Sequence, residues 1–260
     1  MMLAIVGLHL PKTALLQGVN LEMPKTVWIT GAGSGIGAAM ARAFARAGYR
    51  VALTGRRAEH LQAVADSLPD ASATAALILP GDVTDRDGMA DAARRVADWG
   101  DGLHVLCNNA GINIPRRTWA DLDWESWDRV LQINVTGALN VIAACLPAMR
   151  AQQDGVMIHT SSWAGRFHSA VGGVAYGASK HALSDISSGL NAQEGVNGIR
   201  STALCPAEVA TPLLTRRPGF DPALLDAMIQ PEDMARTALY VAEMNPGVAI
   251  HEIVLAPVRR

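Results

Sequence analysis

Thr30-Gly31-Ala32-Gly33-Ser34-Gly35-Ile36-Gly37 is the stretch of this sequence that decides the fold. The apolar run 27–29 leads into it, and apolar residues at the three-and-four spacing of a helix follow it as far as Gly48. Glycines permit a tight turn and a close approach of the backbone to a ligand, and a helix N-terminus attracts negative charge. The stretch therefore predicts a strand, a turn and a helix that bind a dinucleotide pyrophosphate, with a purely structural turn as the alternative.

Short apolar runs alternate with helical patterns along the rest of the chain. The predicted strands are Val27–Thr30, Arg50–Thr54, Ala75–Leu79, Leu103–Cys107, Gly155–Ser161, Ile199–Cys205 and Ile250–Leu255. The predicted helices lie near 35–47, 57–68, 85–98, 124–152, 174–193 and 231–244. This alternation is typical of a doubly wound (Rossmann) α/β fold, a parallel sheet of about seven strands with helices on both faces.

The chain is expected to form a single domain over 23–260, because no repeat or long linker interrupts it. Residues 1–22 are interpreted as a peripheral extension, since they lack the basic region and the cleavage site of a signal peptide. The proline-containing segment 206–230 follows the carboxyl end of a strand, where open α/β sheets bind ligands. It is predicted to be a mobile substrate lid, with an ordinary surface excursion as the alternative.

The charge, the apolar runs and the cysteines of the chain argue against several classes of protein. A formal net charge of −2 with mixed signs argues against a nucleic-acid groove or a polybasic membrane patch. No uninterrupted apolar run reaches the roughly 18 to 20 residues of a membrane-spanning helix. Cys107, Cys145 and Cys205 lie far apart in apolar surroundings, as expected of reduced thiols in a cytoplasmic protein, with neither disulfides nor a metal site.

Four polar residues are candidates for catalysis. Tyr176 and Lys180 stand four apart on a predicted helix and therefore share a face. A nearby cation lowers the pKa of a tyrosine from about 10 and makes it a usable acid or base. Ser162 follows a strand end, where its hydroxyl can hold a substrate oxygen, and Asn134 lies inside the long helix 124–152. Each residue alone also has a structural explanation.

From about Lys25 almost to the C-terminus, the chain resembles the short-chain dehydrogenase/reductase family. Six motifs stand in the order found in that family. They are Thr30-Gly31-x-x-x-Gly35-Ile36-Gly37, Asp82-Val83, Asn108-Asn109-Ala110-Gly111, Asn134, Ser161-Ser162-Trp163-Ala164-Gly165 and Tyr176-Gly177-Ala178-Ser179-Lys180. Six motifs in the right order are far more specific than any one of them.

The resemblance implies hydride transfer between a nicotinamide cofactor and an alcohol or carbonyl compound. In this interpretation Tyr176 protonates the developing alkoxide and Ser162 polarises the carbonyl. Lys180 binds the nicotinamide ribose and lowers the tyrosine pKa, while Asn134 holds a water of a proton relay. The implied cofactor site comprises Gly31, Ser34, Gly35, Ile36, Gly37, Asp82, Val83, Asn109, Ala110, Gly111, Tyr176, Lys180, Pro206, Val209 and Thr211.

Two features depart from the family pattern. The interval from Ser162 to Tyr176 is one residue longer than in most members, which indicates an insertion in the loop 166–174 and leaves Ser161 as an alternative to Ser162. Ala207 stands where the family often has glycine, and alanine adopts a positive φ less readily. A different local backbone is therefore expected after the sixth strand.

The end of the second predicted strand bears on the choice of cofactor. An NAD site commonly has an acidic residue there, which binds the ribose 2′-hydroxyl. This chain instead has Thr54 followed by Arg56 and Arg57, and guanidinium groups suit a 2′-phosphate. NADP is therefore the predicted cofactor and NAD is the alternative.

The substrate and the assembly are less constrained by the sequence. No cationic cluster along the chain marks an anionic substrate, so a neutral alcohol, ketone or aldehyde is expected, with Trp163 as its best aromatic contact. The resemblance implies a homodimer or homotetramer. A non-catalytic nucleotide sensor is the alternative from another class, but Tyr176 and Lys180 are both present. A hydrolase is poorly supported, because the chain has no Gly-x-Ser-x-Gly elbow.

Overall fold

The computed structural model describes residues 24–69, 76–215, 217 and 219–258. Within them lies one parallel sheet in the order β3-β2-β1-β4-β5-β6-β7. Its strands are β1 (Thr26–Thr30), β2 (Arg50–Gly55), β3 (Leu77–Pro80), β4 (Val105–Asn108), β5 (Gly155–Thr160), β6 (Ile199–Pro206) and β7 (Glu252–Leu255). The predicted doubly wound sheet is confirmed, whereas the extension 1–22 and Ala75 lie outside the described residues.

Helices connect the strands in the predicted order. They are α1 (Gly35–Arg46), α2 (Ala58–Asp66), α3 (Arg86–Gly100), α4 (Trp124–Leu131), α5 (Ala138–Gln152), α6 (Val174–Glu194), α7 (Pro212–Thr215) and α8 (Pro231–Ala242). The single helix expected over 124–152 contains a π-helical turn, Gln132–Gly137, between α4 and α5. Short 3₁₀ helices at Trp119–Asp121, Trp163–Gly165, Gly195–Asn197 and Pro222–Ala227, together with α7, were not predicted, because they are too short to show periodicity.

Two apolar layers cover the sheet, because alternate residues of a strand point to opposite faces. Val27 and Ile29 pack in the layer that contains α1, α2 and α8, whereas Trp28 packs in the layer formed by α3, α5 and α6. Every residue of β1 is buried, as expected for a central strand of a parallel sheet. The indole N–H of Trp28 donates to Thr54 Oγ1 at 2.9 Å, so the buried ring keeps a polar partner.

The helical stretch Trp124–Gln152 is apolar because it belongs to this core. Its mean hydropathy of 1.5 over a membrane-length window would by length and composition also suit a membrane span. Val141, Ile142, Cys145 and Met149, however, lie buried in the layer shared with α3. Packing against the sheet therefore accounts for the composition of this helix.

The order of the strands places the ligand cleft. The chain runs outward from β1 to β3, returns to β4 beside β1, and then continues outward to β7. Open α/β sheets bind ligands beyond the carboxyl ends of the strands at such a reversal. The glycine stretch follows β1 and the Asn109 segment follows β4, so both lie at this point.

Candidate functional site

A cleft of about 610 Å³ opens at the carboxyl ends of the strands. This volume is in the range of small-molecule and cofactor sites. The cleft is lined by nearly all the predicted site residues, namely Gly31, Ser34, Gly35, Ile36, Arg56, Arg57, Asp82, Val83, Asn109, Ala110, Gly111, Ser162, Tyr176, Lys180, Pro206, Val209 and Thr211. The other two, Gly37 and Asn134, lie buried beneath its wall.

The glycine turn after β1 has the geometry that a pyrophosphate needs. Gly31 and Gly35 have φ of 63° and 53°, a region that favours glycine. A Cβ on Gly37 would lie 2.3 Å from the carbonyl oxygen of Gly31, so this position tolerates no side chain. Helix α1 begins here, and the side chain of its N-cap residue, Ser34, makes no capping hydrogen bond. The N-terminus of α1 can therefore receive an anion.

A buried polar network joins β1 to β4 beneath the cleft. Thr30 Oγ1 accepts from the backbone N–H groups of Asn109 and Ala110 at 3.0 and 3.1 Å. The Asn109 amide in turn donates to the carbonyl oxygens of Thr30 and Gly31. These bonds hold the glycine turn against the segment after β4.

Two cationic side chains lie at the end of the cleft beside β2. Arg56 and Arg57 are exposed, line the cleft, and follow β2 directly. Thr54 is fully buried and its hydroxyl accepts from Trp28, so it is turned away from a ribose. Asp82 also lines the cleft, although one of its carboxylate oxygens, Oδ1, accepts from the backbone N–H and hydroxyl of Thr84. The two guanidinium groups can therefore pair with a phosphate.

Tyr176, Lys180 and Ser162 meet in the cleft. The Lys180 ammonium lies 5.6 Å from the centre of the Tyr176 ring and donates to the carbonyl oxygen of Thr160 at 2.6 Å. Ser162 caps the 3₁₀ helix Trp163–Gly165, its Oγ accepting from the backbone N–H of Ala164 at 3.1 Å. The Ser162 side chain also lies close enough to the Tyr176 hydroxyl to influence its pKa.

The pKa values of this group have identifiable causes. Burial raises the pKa of Tyr176, while its hydrogen bond with Ser162 and the charge of Arg117 act in the opposite direction. Burial lowers the pKa of Lys180 to about 8. The predicted lowering of the Tyr176 pKa by Lys180 is not found: burial raises this pKa, and the cation that acts against the rise is Arg117.

The two neighbouring serines make different contacts. Ser161 is buried, donates to the carbonyl oxygen of Lys180 at 3.0 Å and hydrogen-bonds Ser184 at 2.9 Å. Both of these hydrogen-bond partners of the Ser161 hydroxyl lie on α6. Ser162 instead lies close enough to Tyr176 to influence its pKa, and the insertion in the loop 166–174 stays a prediction.

Asn134 lies in the π-helical turn, behind the cleft. Its amide donates to the carbonyl oxygen of Ile112 at 2.9 Å and to Ser179 Oγ at 3.1 Å, and its oxygen accepts from the Ile112 N–H at 2.8 Å. Ser179 Oγ donates to the Tyr176 carbonyl oxygen at 2.7 Å. The side chain therefore ties the segment after β4 to the helix that carries Tyr176, and its role in a proton relay stays a prediction.

The segment after β6 is anchored at two points. Ala207 has no positive φ and donates to the carbonyl oxygen of Leu255 at 2.8 Å, so alanine fits this backbone without strain. Val209 pairs with Ile229 in a parallel bridge. Between Val209 and Ile229 lie α7 and the 3₁₀ helix Pro222–Ala227. The lid over 206–230 stays a prediction, and its residues 216 and 218 lie outside the described part of the chain.

Two further arginines on the cleft were not found from the sequence. Arg117 follows the β4 segment and Arg217 lies in the segment after β6, and both line the cleft. The charge of Arg217 lowers the pKa of Arg117, and the charge of Arg117 in turn acts against the rise in the pKa of Tyr176. The two arginines are far apart in the chain, so no local pattern signals the cluster. The expectation of a neutral substrate rested on the absence of such a cluster.

Comparison with known proteins gives consistent matches. A family model described as short chain dehydrogenase matches residues 25–219. Serine 3-dehydrogenase of Agrobacterium fabrum (strain C58 / ATCC 33970) is 32% identical over 244 residues, covering 92% of this chain and 96% of that protein. The closed form of serine dehydrogenase complexed with NADP+ has a TM-score of 0.81 at 27% identity, covering 90% of this chain and 96% of that one. The 3-ketoacyl-(acyl-carrier-protein) reductase from Brucella melitensis complexed with NADH has a TM-score of 0.81 at 25% identity, covering 90% and 98%.

Proposed function

The chain belongs to the short chain dehydrogenase family, and we propose that it transfers a hydride between NADP(H) and an alcohol or carbonyl compound, with Tyr176 as the acid or base. That it is a nicotinamide-dependent oxidoreductase follows from the family. The observation that carries the finer proposal is the meeting of Tyr176, Ser162 and Lys180 at one end of a cleft whose other end holds Arg56 and Arg57. The alternative is the same chemistry with NAD.

In the reductive direction the protein positions the substrate and supplies a proton. Bound NADPH would supply the hydride to the carbonyl carbon. Ser162 donates a hydrogen bond to the carbonyl oxygen, and Tyr176 gives that oxygen its proton as negative charge develops there. The Lys180 ammonium holds the ribose and, once the tyrosine has lost its proton, favours the phenolate. Oxidation of an alcohol reverses these steps.

Arg56→Ala tests the cofactor proposal. The variant is expected to raise the dissociation constant of NADPH about 10-fold and to change that of NADH less than about twofold, because the lost guanidinium would pair only with the 2′-phosphate. Titration of tryptophan fluorescence with each cofactor at one fixed salt concentration measures both constants.

Arg46→Ala is the matched control, since Arg46 is exposed at the end of α1 and outside the cleft. It should leave both constants unchanged. Equal or tighter binding of NADH by the unaltered protein would replace the proposal with the NAD alternative. Failure of both cofactors to bind would count against the proposed activity itself.

We also propose a cytoplasmic homodimer or homotetramer. Cys107, Cys145 and Cys205 are all free and buried, which agrees with reduced thiols. Burial raises the pKa of Cys205 to about 11, so this thiol is protonated and unreactive near neutrality. Large apolar side chains of α4 and α5, Trp124 and Leu139, are exposed and support a subunit contact. A monomer in light scattering at micromolar concentration would contradict the oligomer.

A further inference from the structure

Arg117 is held rigidly beside the proposed reaction centre. Its Nε donates to the carbonyl oxygen of Ile114 at 2.6 Å and its Nη1 to that of Val171 at 2.8 Å. Its own carbonyl oxygen accepts from Val174 N–H at 3.2 Å, and a Cβ on Gly173 would lie 2.6 Å from its Cβ. The arginine is therefore packed against the N-terminal end of α6, the helix that carries Tyr176 in its first turn.

The charge of this arginine is not balanced by the protein. Arg117 is half-buried, yet among the described residues no carboxylate lies within 4.0 Å of it. Two of the five N–H donors of a guanidinium are used, and the other three have no hydrogen-bond partner in the described part of the chain. The N-terminal end of a helix adds further positive potential at this position.

Arg217 differs because it has a counter-ion. Its Nη1 lies 2.7 Å from Glu208 Oε1, and its guanidinium stacks 5.8 Å from the ring centre of Phe220. The pair Arg217–Glu208 is thus close to neutral, although its arginine adds to the positive field at Arg117. Apart from Lys180, which the proposed function assigns to the cofactor ribose, the substrate end of the cleft therefore carries one unbalanced positive charge among the described residues.

We infer that the substrate carries a carboxylate, which Arg117 binds while the alcohol or carbonyl group of the same molecule faces Tyr176 and Ser162. This inference rests on the proposed function. Half-buried charges are commonly paired, and a guanidinium matches a carboxylate in shape and charge. A single unbalanced cation suits a monoanion, whereas the dianion of a phosphate ester calls for a second one. The substrate class is therefore hydroxy acids and the corresponding oxo acids.

Binding is tested without turnover in a Tyr176→Phe background saturated with NADP+. Calorimetry compares 2-hydroxybutyrate and 3-hydroxybutyrate with their methyl esters. At least one acid should bind about 10-fold more tightly than its ester. Adding Arg117→Gln should raise the dissociation constant of that acid about 10- to 100-fold and change that of the ester by no more than about twofold. Arg117→Lys should restore part of the lost affinity. Arg116→Gln is the control, since Arg116 is exposed, pairs with Asp123 at 3.7 Å and lies outside the cleft.

Turnover of the same compounds by the protein with Tyr176 intact tests the inference about the substrate separately from the proposed function. Oxidation of the ester as efficiently as the acid would overturn the inference and leave the proposed function standing. Binding of an acid through Arg117 with oxidation of neither acid nor ester would count against the proposed function, and Arg117 would then remain only as a carboxylate-binding site. The inference also fails if no acid binds more tightly than its ester, or if Arg117→Gln weakens acid and ester equally, because the arginine then has only a structural role.

Discussion

Replacing Tyr176 by phenylalanine is expected to lower kcat by about 10²- to 10⁴-fold, the usual contribution of a positioned acid or base. The dissociation constant of NADPH should change little, because the phenylalanine ring keeps the packing of the tyrosine beside Lys180. The lost group is the hydroxyl, whose pKa is raised by burial and, to a smaller extent, lowered by the nearby Ser162 side chain and by the charge of Arg117. Steady-state kinetics together with a cofactor titration on the same preparation measures both quantities.

Tyr240→Phe is the matched control for this change. Tyr240 is an exposed residue of α8 and does not line the cleft, so its hydroxyl should be dispensable. A Tyr176→Phe variant with near-normal kcat would remove the tyrosine from the mechanism. A variant that loses cofactor binding to the same extent as turnover would instead indicate a structural defect.

The sequence predicted those parts of the site that depend on neighbours in the chain. The turn from Gly31 to Gly37 is local, because the positive φ values and the close backbone approach are needed within a few residues. The spacing of Tyr176 and Lys180 is likewise a property of one helix. Strand order is not local, but the alternation of elements limits it to few arrangements, which is why the doubly wound sheet could be predicted.

The rest of the site depends on tertiary contacts that no spacing encodes. Arg117 and Arg217 line the same cleft only because the segments after β4 and β6 flank it. The direction of the Thr54 side chain is fixed by Trp28 on the neighbouring strand. The doubt about Ala207 came from a family preference for glycine, whereas the backbone there requires no positive φ.

Two cationic side chains of the cleft, Lys180 and Arg117, share an electrostatic feature. Lys180 is 3% exposed and Arg117 is half-buried, and no carboxylate of the described residues forms an ion pair with either. Such cations destabilise a fold until a ligand compensates them. The cations that bind ligands therefore lower the stability of the fold. This relation is common in enzymes, and it can be measured.

Lys180→Met is expected to abolish turnover and to stabilise the cofactor-free protein. Burial lowers the pKa of Lys180 from 10.5 to about 8. The unfolded chain therefore binds an extra proton between these pH values, and below pH 8 the charged lysine costs the fold at most about 3 kcal/mol. The methionine variant also loses the hydrogen bond to Thr160, and this loss offsets much of the stability gained by removing the charge. The net gain should be about 1 kcal/mol at pH 7, or about 2 to 4 °C in Tm.

The pH dependence of this gain identifies its cause. Since the fold favours neutral Lys180, the stability of the unaltered protein should rise between pH 8 and 10.5, and the advantage of the methionine variant should disappear over that window. The neighbouring His159 stays neutral there, because burial and the lysine charge lower its pKa to about 3. Lys25→Met, at an exposed site, should leave the thermal melt unchanged. A gain independent of pH would point to better packing, and a loss would mean that the bond to Thr160 outweighs the buried charge. NADPH should reverse the order of stability, because Lys180 then has a ribose to bind.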